Sequence, residues 1–388
     1  MIEWYISGDK IITFIITANS QYPIVEQSSA KDLETLINWT KNYLKGYFQE
    51  KEQWINDLAP SLKDLAKILN IDRLLTQINN IFEKQKIKCN RLLLIPHRFL
   101  HLLPLHMMPL ENGELVIERF NKGVSYAPSS QILQLTQKQK RPHFSQLFAV
   151  QNPTEDLIYA DLEVETIRHD FNSSQVLIRK DASETKVKTN HHFQSSHCSH
   201  FSCHGNFNFG LAYASGLSLA KDDSQEDSQL TLAEIFGLNL GQCRLVTLSA
   251  CETGLTKLNS LSDEYIGLPS GFIFAGSPSV VCSLWAVDQV STAFLLIKFY
   301  QNLKSYPELG EGTVGIALKA AQMWLKNLTS KEGEEFLEKI IPYINIIYEG
   351  KPKILKELFV DGAKERINSQ PHPFNSPFYW AAFTAVGF

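Results

Sequence analysis

Residues 243–251 read CRLVTLSAC, a short apolar run that ends in a cysteine. Apolar runs of this length between polar residues are typical of strands buried on both faces of a sheet. Comparable runs recur along the chain, and segments with the helical period of apolar residues separate them. This alternation predicts a mainly parallel, doubly wound α/β sheet.

The predicted strands and helices of this sheet are spread over most of the chain. The strands are 91–96, 146–153, 174–178, 197–205, 243–251, 279–285 and 378–388. The helical segments between them are 162–171, 185–193, 230–238, 263–275, 291–303 and 314–328.

A different pattern precedes the first of these strands. Residues 1–25 are rich in β-branched and aromatic residues around Ser7-Gly8-Asp9, which predicts a β-hairpin. Residues 28–88 have the apolar period of helices packed against it. We therefore divide the chain into an N-terminal hairpin and helical region, 1–90, and a core, 91–388, which carries a charged helical insertion at 330–370.

The composition excludes several classes of protein. The 388 residues include 37 Lys and Arg against 41 Asp and Glu, so no basic field favours direct nucleic-acid or membrane binding. The six cysteines form no CxxC pair, which argues against a disulfide scaffold and predicts reduced thiols. The N-terminus has no secretory leader, and no apolar window has the length of a membrane span. We expect a soluble, cytoplasmic protein.

Two of the predicted strands end in reactive residues. The strand 197–205 runs into His204-Gly205, and the strand 243–251 ends at Cys251. Cys251 follows His204 by 47 residues, which is enough for one right-handed crossover. Thr231 and Glu234 have the spacing of a capping box and mark a helix within that crossover. If the two strands are neighbours, the imidazole and the thiol emerge side by side.

A cysteine beside a histidine is the arrangement that thiol acyl transfer requires. The thiolate is the nucleophile, and the imidazole takes up its proton and later protonates the leaving amine. A glycine next to the histidine lets a substrate carbonyl approach the backbone. The N–H groups of Gly205 and Cys251 are the predicted oxyanion donors.

Four longer segments carry a resemblance to a known family. They are SHFSCHG (199–205), LVTLSACETG (245–254), GLPSGFIFAGSPSVVCSLWAVD (267–288) and PFYWAAFTAVGF (377–388). Together they resemble the CHAT domain, a caspase-like peptidase family related to separases and metacaspases. The resemblance covers nearly the whole chain.

This resemblance implies a caspase-hemoglobinase-like sandwich, with His204 as base and Cys251 as nucleophile, and peptide cleavage without a metal or an organic cofactor. By analogy with separases, Asp288 would face a basic P1 side chain. Trp285 and Glu252 are further candidate substrate contacts. This chain has Ala286 and Gln289 where many members have proline and a second aspartate.

Several structural interpretations compete with these roles. In one interpretation Cys251 is a buried core cysteine, and in another His204 is a hydrogen-bonded structural histidine. Glu252 either orients its loop and contacts substrate or is an acid favoured by a helix N-terminus. Trp285 is packed in the core or lines the pocket. A zinc site is a further alternative, within a cluster that comprises His191, His192, His197, Cys198, His200, Cys203 and His204.

Strand geometry argues against the zinc site. Residues of one parity share a face, so Cys198, His200 and His204 form an extended row rather than converging on one ion. Phe201 and Cys203 are expected on the opposite face, packed in the core.

The sequence thus predicts a cysteine endopeptidase that cleaves an extended segment of another protein. Its activity would be controlled by a partner or by rearrangement of loops such as 206–229 or 253–262. Many relatives carry TPR repeats and this chain has none, so any sensor or activator would be a separate polypeptide. The alternative is a catalytically silent CHAT module that acts as a scaffold or regulatory binding partner.

Overall fold

A computed structural model describes the chain apart from residues 19, 85, 140, 142, 209, 223–227, 256–265, 307–311 and 388. The strands are β1 (Ile2–Ser7), β2 (Lys10–Ile15), β3 (Ile24–Gln27), β4 (Leu92–Ile95), β5 (Val124–Tyr126), β6 (Gln146–Gln151), β7 (Ser173–Ile178), β8 (Cys198–Ser202), β9 (Gly205–Asn206), β10 (Gly216–Ser218), β11 (Gln229–Thr231), β12 (Leu245–Ser249), β13 (Ser279–Ser283) and β14 (Phe383–Gly387).

The α-helices are α1 (Ala30–Gln49), α2 (Lys51–Ile68), α3 (Ile71–Lys84), α4 (Val116–Arg119), α5 (Ser130–Gln137), α6 (Ile158–Arg168), α7 (Glu184–Lys188), α8 (His191–Ser195), α9 (Leu232–Ile235), α10 (Leu268–Phe274), α11 (Gln289–Lys304), α12 (Thr313–Asn327), α13 (Ser330–Ile340), α14 (Asn345–Tyr348), α15 (Lys353–Ile367) and α16 (Pro377–Trp380).

One large sheet organises the molecule, in the order β3-β2-β1-β4-β5-β14-β13-β12-β8-β6-β7. Strands β7, β6, β8, β12 and β13 run parallel to one another. Strand β14 pairs antiparallel with β13 and parallel with β5, so the strand direction reverses near the middle of the sheet. It reverses again at the edge, where β1, β2 and β3 pair antiparallel. The predicted α/β class, a mainly parallel sheet flanked by helices, is confirmed. The last predicted strand is shorter than expected, because α16 occupies its first residues.

The N-terminal hairpin belongs to this same sheet. Ser7 pairs with Lys10 across Gly8 and Asp9, and Gly8 takes the positive φ of 59° that such a tight turn requires. Strand β1 then pairs in parallel with β4 of the core. The hairpin therefore extends the sheet of the core at its edge.

Helix α1 begins with a capping box. The Ser29 side chain accepts from the N–H of Asp32, and the Asp32 carboxylate accepts from the N–H of Ser29. Leu33, Leu36 and Tyr43 are among the buried residues, so one face of α1 is turned to the interior. Helices α1 and α2 pack on each other, and α2 also contacts α16 of the core.

The crossover from β8 to β12 contains more structure than predicted. Strands β9, β10 and β11 form a small antiparallel sheet, which the sequence pattern did not indicate. The capping box at Thr231 and Glu234 is confirmed, although its helix, α9, is a single turn. The loops 206–229 and 253–262, for which we predict rearrangement, and the predicted helix start at 263 lie partly outside the described residues.

The charged segment 330–370 folds as α13, α14 and α15 with a 3-10 turn between the first two. None of the helices in the described part of the chain combines the length and apolar character needed to cross a membrane.

Candidate active site

The predicted catalytic pair lies at the carboxyl ends of two adjacent parallel strands. Strand β8 pairs directly with β12, and Ser202 is the register partner of Ser249. His204 and Cys251 each lie two residues beyond this pair, at equivalent positions after the two strands. Parallel strands lie about 4.8 Å apart, so the register brings the two residues to one place at the sheet edge.

Gly205 shows how closely the two motif ends approach. A Cβ at Gly205 would lie 2.4 Å from the Cys251 carbonyl oxygen and 2.8 Å from a methyl carbon of Thr253. Only a residue without a side chain allows these two backbones to come so close. The glycine after the histidine is therefore explained by the contact between the motifs.

His204 and Cys251 also open onto the same cavity, of about 160 Å³. Val287, Gln289 and Thr292 contribute to its lining from the segment after β13 and the start of α11. Thr292 is buried, and its Oγ1 has no hydrogen-bond partner within the described part of the protein. A buried hydroxyl of this kind is a ready contact for a polar group of a bound molecule.

Asp156 is a third polar residue of the site, and the sequence did not indicate it. Its Oδ2 lies 2.8 Å from Nε2 of His204, and the side chains are 60% and 39% exposed. Burial tends to raise the pKa of Asp156, but hydrogen bonds with Thr154 and His204 hold this pKa below its usual value. The carboxylate therefore stays charged beside the imidazole.

The environment of the Cys251 thiol favours its neutral form. Burial raises the pKa of Cys251, and the Glu252 carboxylate raises it further. A hydrogen bond from the backbone N–H of Val287 and the charge of Lys51 act in the opposite direction. Because the net pKa is above that of a free thiol, Cys251 rests protonated at neutral pH.

Glu252 is held by the N-terminal helical region. Its Oε1 accepts a hydrogen bond of 2.6 Å from the Tyr47 hydroxyl of α1. The backbone of Glu252 has a φ of 60°, in the left-handed region that non-glycine residues seldom adopt. This contact ties the segment after Cys251 to α1.

Asp288 has two intramolecular partners. Its Oδ1 accepts from the N–H of Ser291 as the N-cap of α11, and its Oδ2 lies 3.6 Å from Nε of Arg366 in α15. Asp288 is not among the residues that line the cavity, whereas its neighbours Val287 and Gln289 are. A contact with a basic P1 residue would compete with Arg366.

Trp285 is a core residue, which corrects the predicted substrate contact. Its side chain is 1% exposed, and its indole N–H donates to the Phe378 carbonyl at 3.0 Å. The ring packs edge-on against Trp54 of α2 at a centroid distance of 5.6 Å. Burial of the whole ring leaves it no surface for a substrate.

His200, a member of the histidine and cysteine cluster of the alternative zinc site, is held by two protein side chains. It is completely buried, its Nε2 lies 2.8 Å from Oε1 of Glu163, and its Nδ1 lies 3.3 Å from the Tyr300 hydroxyl. The Tyr300 hydroxyl in turn donates to Thr247 on β12. No group of three or more His, Cys, Asp or Glu side chains with the geometry of a metal site occurs among the residues that the structure describes.

Cys203 and Phe201 are both buried, as predicted, but Cys203 also lines the cavity. The expectation that it faces the opposite side is wrong, because β8 ends at Ser202 and the alternation of a strand no longer holds beyond it.

Comparison with known proteins identifies one family. The model of the CHAT domain matches residues 59–388. No curated protein matches the sequence.

Among solved structures, the chain is similar to "the Arg specific cysteine proteinase gingipain R (RGPB)", with 8% identity, a TM-score of 0.44, and coverage of 84% of this chain and 67% of the other. It is also similar to separase in the Saccharomyces cerevisiae separase–securin complex, with 15% identity, a TM-score of 0.43 and coverage of 79% of this chain. The chain spans 20% of that separase chain.

Proposed function

Because the chain belongs to the CHAT domain family, we propose that it is a cysteine endopeptidase in which Cys251 is the nucleophile and His204 the general base. The observation that carries the proposal is the register of β8 and β12, which brings both residues to one sheet edge and one cavity. The substrate is an extended segment of another protein.

The raised pKa of Cys251 sets the order of proton transfer. A protonated thiol is a poor nucleophile, so His204 takes the proton as the sulfur attacks the peptide carbonyl carbon. Asp156 is bound at Nε2 of His204, which leaves Nδ1 for this exchange. The negative carboxylate stabilises the imidazolium that forms.

The remaining steps follow acyl-transfer chemistry. Attack places a negative charge on the carbonyl oxygen, and the N–H groups of Gly205 and Cys251 are the proposed donors to it. As the C–N bond breaks, the imidazolium returns its proton to the departing amine. The thioester left on Cys251 is then hydrolysed by water, with His204 again as base.

The cavity is the proposed binding site for a substrate side chain. Thr292 supplies a buried hydroxyl without a hydrogen-bond partner among the described residues, and Gln289 supplies an amide. The role of Asp288 as the partner of a basic P1 side chain remains part of the proposal and requires that its contact with Arg366 be replaced. Control of the activity by a partner protein or by loop rearrangement is proposed together with it.

The direct test uses fluorogenic peptides varied at P1, with and without lysate of the host to supply an activator. Wild type is compared with Cys251→Ala and with Cys89→Ala, which removes another partly exposed free cysteine. Cleavage that is lost in Cys251→Ala and kept in Cys89→Ala supports the peptidase. Loss of a basic P1 preference in Asp288→Asn supports the role of Asp288. No cleavage under any condition, and no selective labelling of Cys251 by a peptide-like electrophile, would favour a catalytically silent scaffold.

A further inference from the structure

Tyr47 connects the N-terminal helical region to both sides of Cys251. It lies on α1, outside the residues matched by the CHAT domain model, and is 7% exposed. Its hydroxyl donates to the Glu252 carboxylate at 2.6 Å and accepts from the N–H of Ala286 at 2.9 Å. Glu252 follows the nucleophile directly, and Ala286 precedes the residue whose N–H binds the sulfur.

The ring of Tyr47 is fixed by aromatic packing. It lies edge-on to Trp54 at 5.0 Å, and Trp54 lies edge-on to Trp285, which precedes Ala286. Lys51 at the start of α2 lies 5.7 Å over the same ring. The hydroxyl is therefore held in place by groups on α2 and on the segment after β13.

The Tyr47 hydroxyl thus bridges Glu252 and Ala286, and this bridge is suited to hold a strained loop. Glu252 has a left-handed backbone. This conformation is unfavourable for any residue other than glycine and persists only where other contacts hold it. Burial keeps the pKa of Tyr47 far above neutrality, and Glu252 raises it further, so the hydroxyl remains a donor. One hydroxyl thus ties together the two backbone segments that flank the thiol.

We propose that Tyr47 is a positioning residue for the nucleophile: by bridging Glu252 and Ala286 it holds the Cys251 loop and the Val287 N–H in their mutual positions. The proposal deepens the proposed function, on which it rests. In this proposal the N-terminal helices are part of the catalytic apparatus. A partner protein that displaces α1 would therefore also displace the groups around the thiol.

The test measures alkylation of Cys251 by iodoacetamide as a function of pH, with peptide mass spectrometry to follow that cysteine alone. This readout requires no peptidase activity, so its outcome is independent of the cleavage assay. Tyr47→Phe keeps the ring and removes the bridge. Tyr43→Phe is the matched control, because Tyr43 is buried on the same helix and packs on the same Trp54.

Loss of the bridge weakens the Val287 donor to the sulfur. In Tyr47→Phe the midpoint of alkylation is expected to rise by about 0.5 to 1 pH unit, which slows alkylation about three- to ten-fold below the midpoint. Tyr43→Phe is expected to match wild type. An unchanged or lowered midpoint in folded Tyr47→Phe, or an equal shift in Tyr43→Phe, would overturn the proposal.

A second pair of variants tests the bridge if Tyr47→Phe does not fold. Glu252→Gln and Glu252→Ala both remove the negative charge beside the thiol, but only glutamine keeps an oxygen that accepts from Tyr47. The alkylation midpoint of Glu252→Gln is expected below that of wild type, and that of Glu252→Ala above that of Glu252→Gln. Equal midpoints for the two variants would show that the bridge does not position the thiol.

Discussion

The Asp156 carboxylate lies 2.8 Å from Nε2 of His204, so the proposed base has a charged partner at one of its two ring nitrogens. Asp156 follows β6, which pairs with β8 on the side opposite β12. Three consecutive parallel strands of the sheet, β6, β8 and β12, thus deliver a carboxylate, an imidazole and a thiol to one edge. The imidazole of the middle strand is the group that exchanges the proton with the thiol in the proposed mechanism, and the carboxylate stabilises its charged form.

Asp156→Asn is expected to lower kcat for peptide cleavage about ten-fold, with little change in KM. The amide keeps the shape of the carboxylate but does not stabilise an imidazolium. The effect is modest because Asp156 is 60% exposed and water screens its charge. Steady-state kinetics check it, with Glu155→Gln as a control on the adjacent exposed acid. Equal kcat values for Asp156→Asn and wild type would exclude this role.

The sequence predicts the sheet and the pairing of His204 with Cys251 because both depend on local patterns. A buried strand has a recognisable apolar run, and parallel strands align their ends, so His204 and Cys251 are predictable as neighbours. Asp156 lies five residues beyond the end of β6, in a loop whose composition is that of any solvated turn. The arrival of a third strand end at the same edge was the available signal for it.

Contacts between distant segments are not encoded in such patterns. Tyr47 meets Glu252 across 205 positions of sequence, and its apolar spacing marks it only as a residue of the helix core. Asp288 forms an ion pair with Arg366 of the insertion, and no local motif predicts this contact. The motif after β13 predicts substrate contacts for this segment, but the ring of Trp285 within it packs in the core.

Gly205→Ala is expected to destabilise the protein and to abolish cleavage. A Cβ would lie 2.4 Å from the backbone oxygen of Cys251, so the two motifs must separate. Overpacking of this kind costs about 1–3 kcal/mol. Chemical denaturation and the cleavage assay measure the two effects. Gly46→Ala is the control, because its Cβ would meet nothing closer than 3.4 Å, on the Trp54 ring. A fully active Gly205→Ala variant would contradict the close approach.

The buried pair of Glu163 and His200 is expected to be a structural requirement of the site. Glu163 lines the cavity with only 2% of its side chain exposed, and its carboxylate lies 2.8 Å from His200. Removing one member of a buried hydrogen-bonded pair costs about 1–3 kcal/mol, because the other loses its partner. Glu163→Leu should lose stability of this size in urea unfolding, and Glu163→Gln, which still hydrogen-bonds His200, should lose less. Wild-type stability in Glu163→Leu would show that the pair contributes nothing.

Glu234 is expected to make stability depend on pH in the acid range. Its Oε1 lies 2.6 Å from Nζ of Lys188, and its other oxygen accepts from Thr231 in the capping box. Burial would raise its pKa, but Lys188 and Thr231 lower the pKa of Glu234 from 4.5 to about 2.

The sign of the effect follows from this lowered pKa. Glu234 binds protons more weakly in the folded protein than in the unfolded chain, so its stabilising contribution is fully present above pH 4.5 and is lost as the pH falls toward about 2. Glu234→Gln preserves the capping box, since glutamine also serves at that position, and removes only the charge. The variant should be less stable than wild type at pH 7, and the difference should shrink below pH 4.5.

Glu184→Gln, which removes the other carboxylate beside Lys188, is the control and should not reproduce this convergence. Urea unfolding midpoints at several pH values decide the point, because curves for wild type and Glu234→Gln that remain parallel through the acid range would mean that Glu234 titrates alike in the folded and unfolded states.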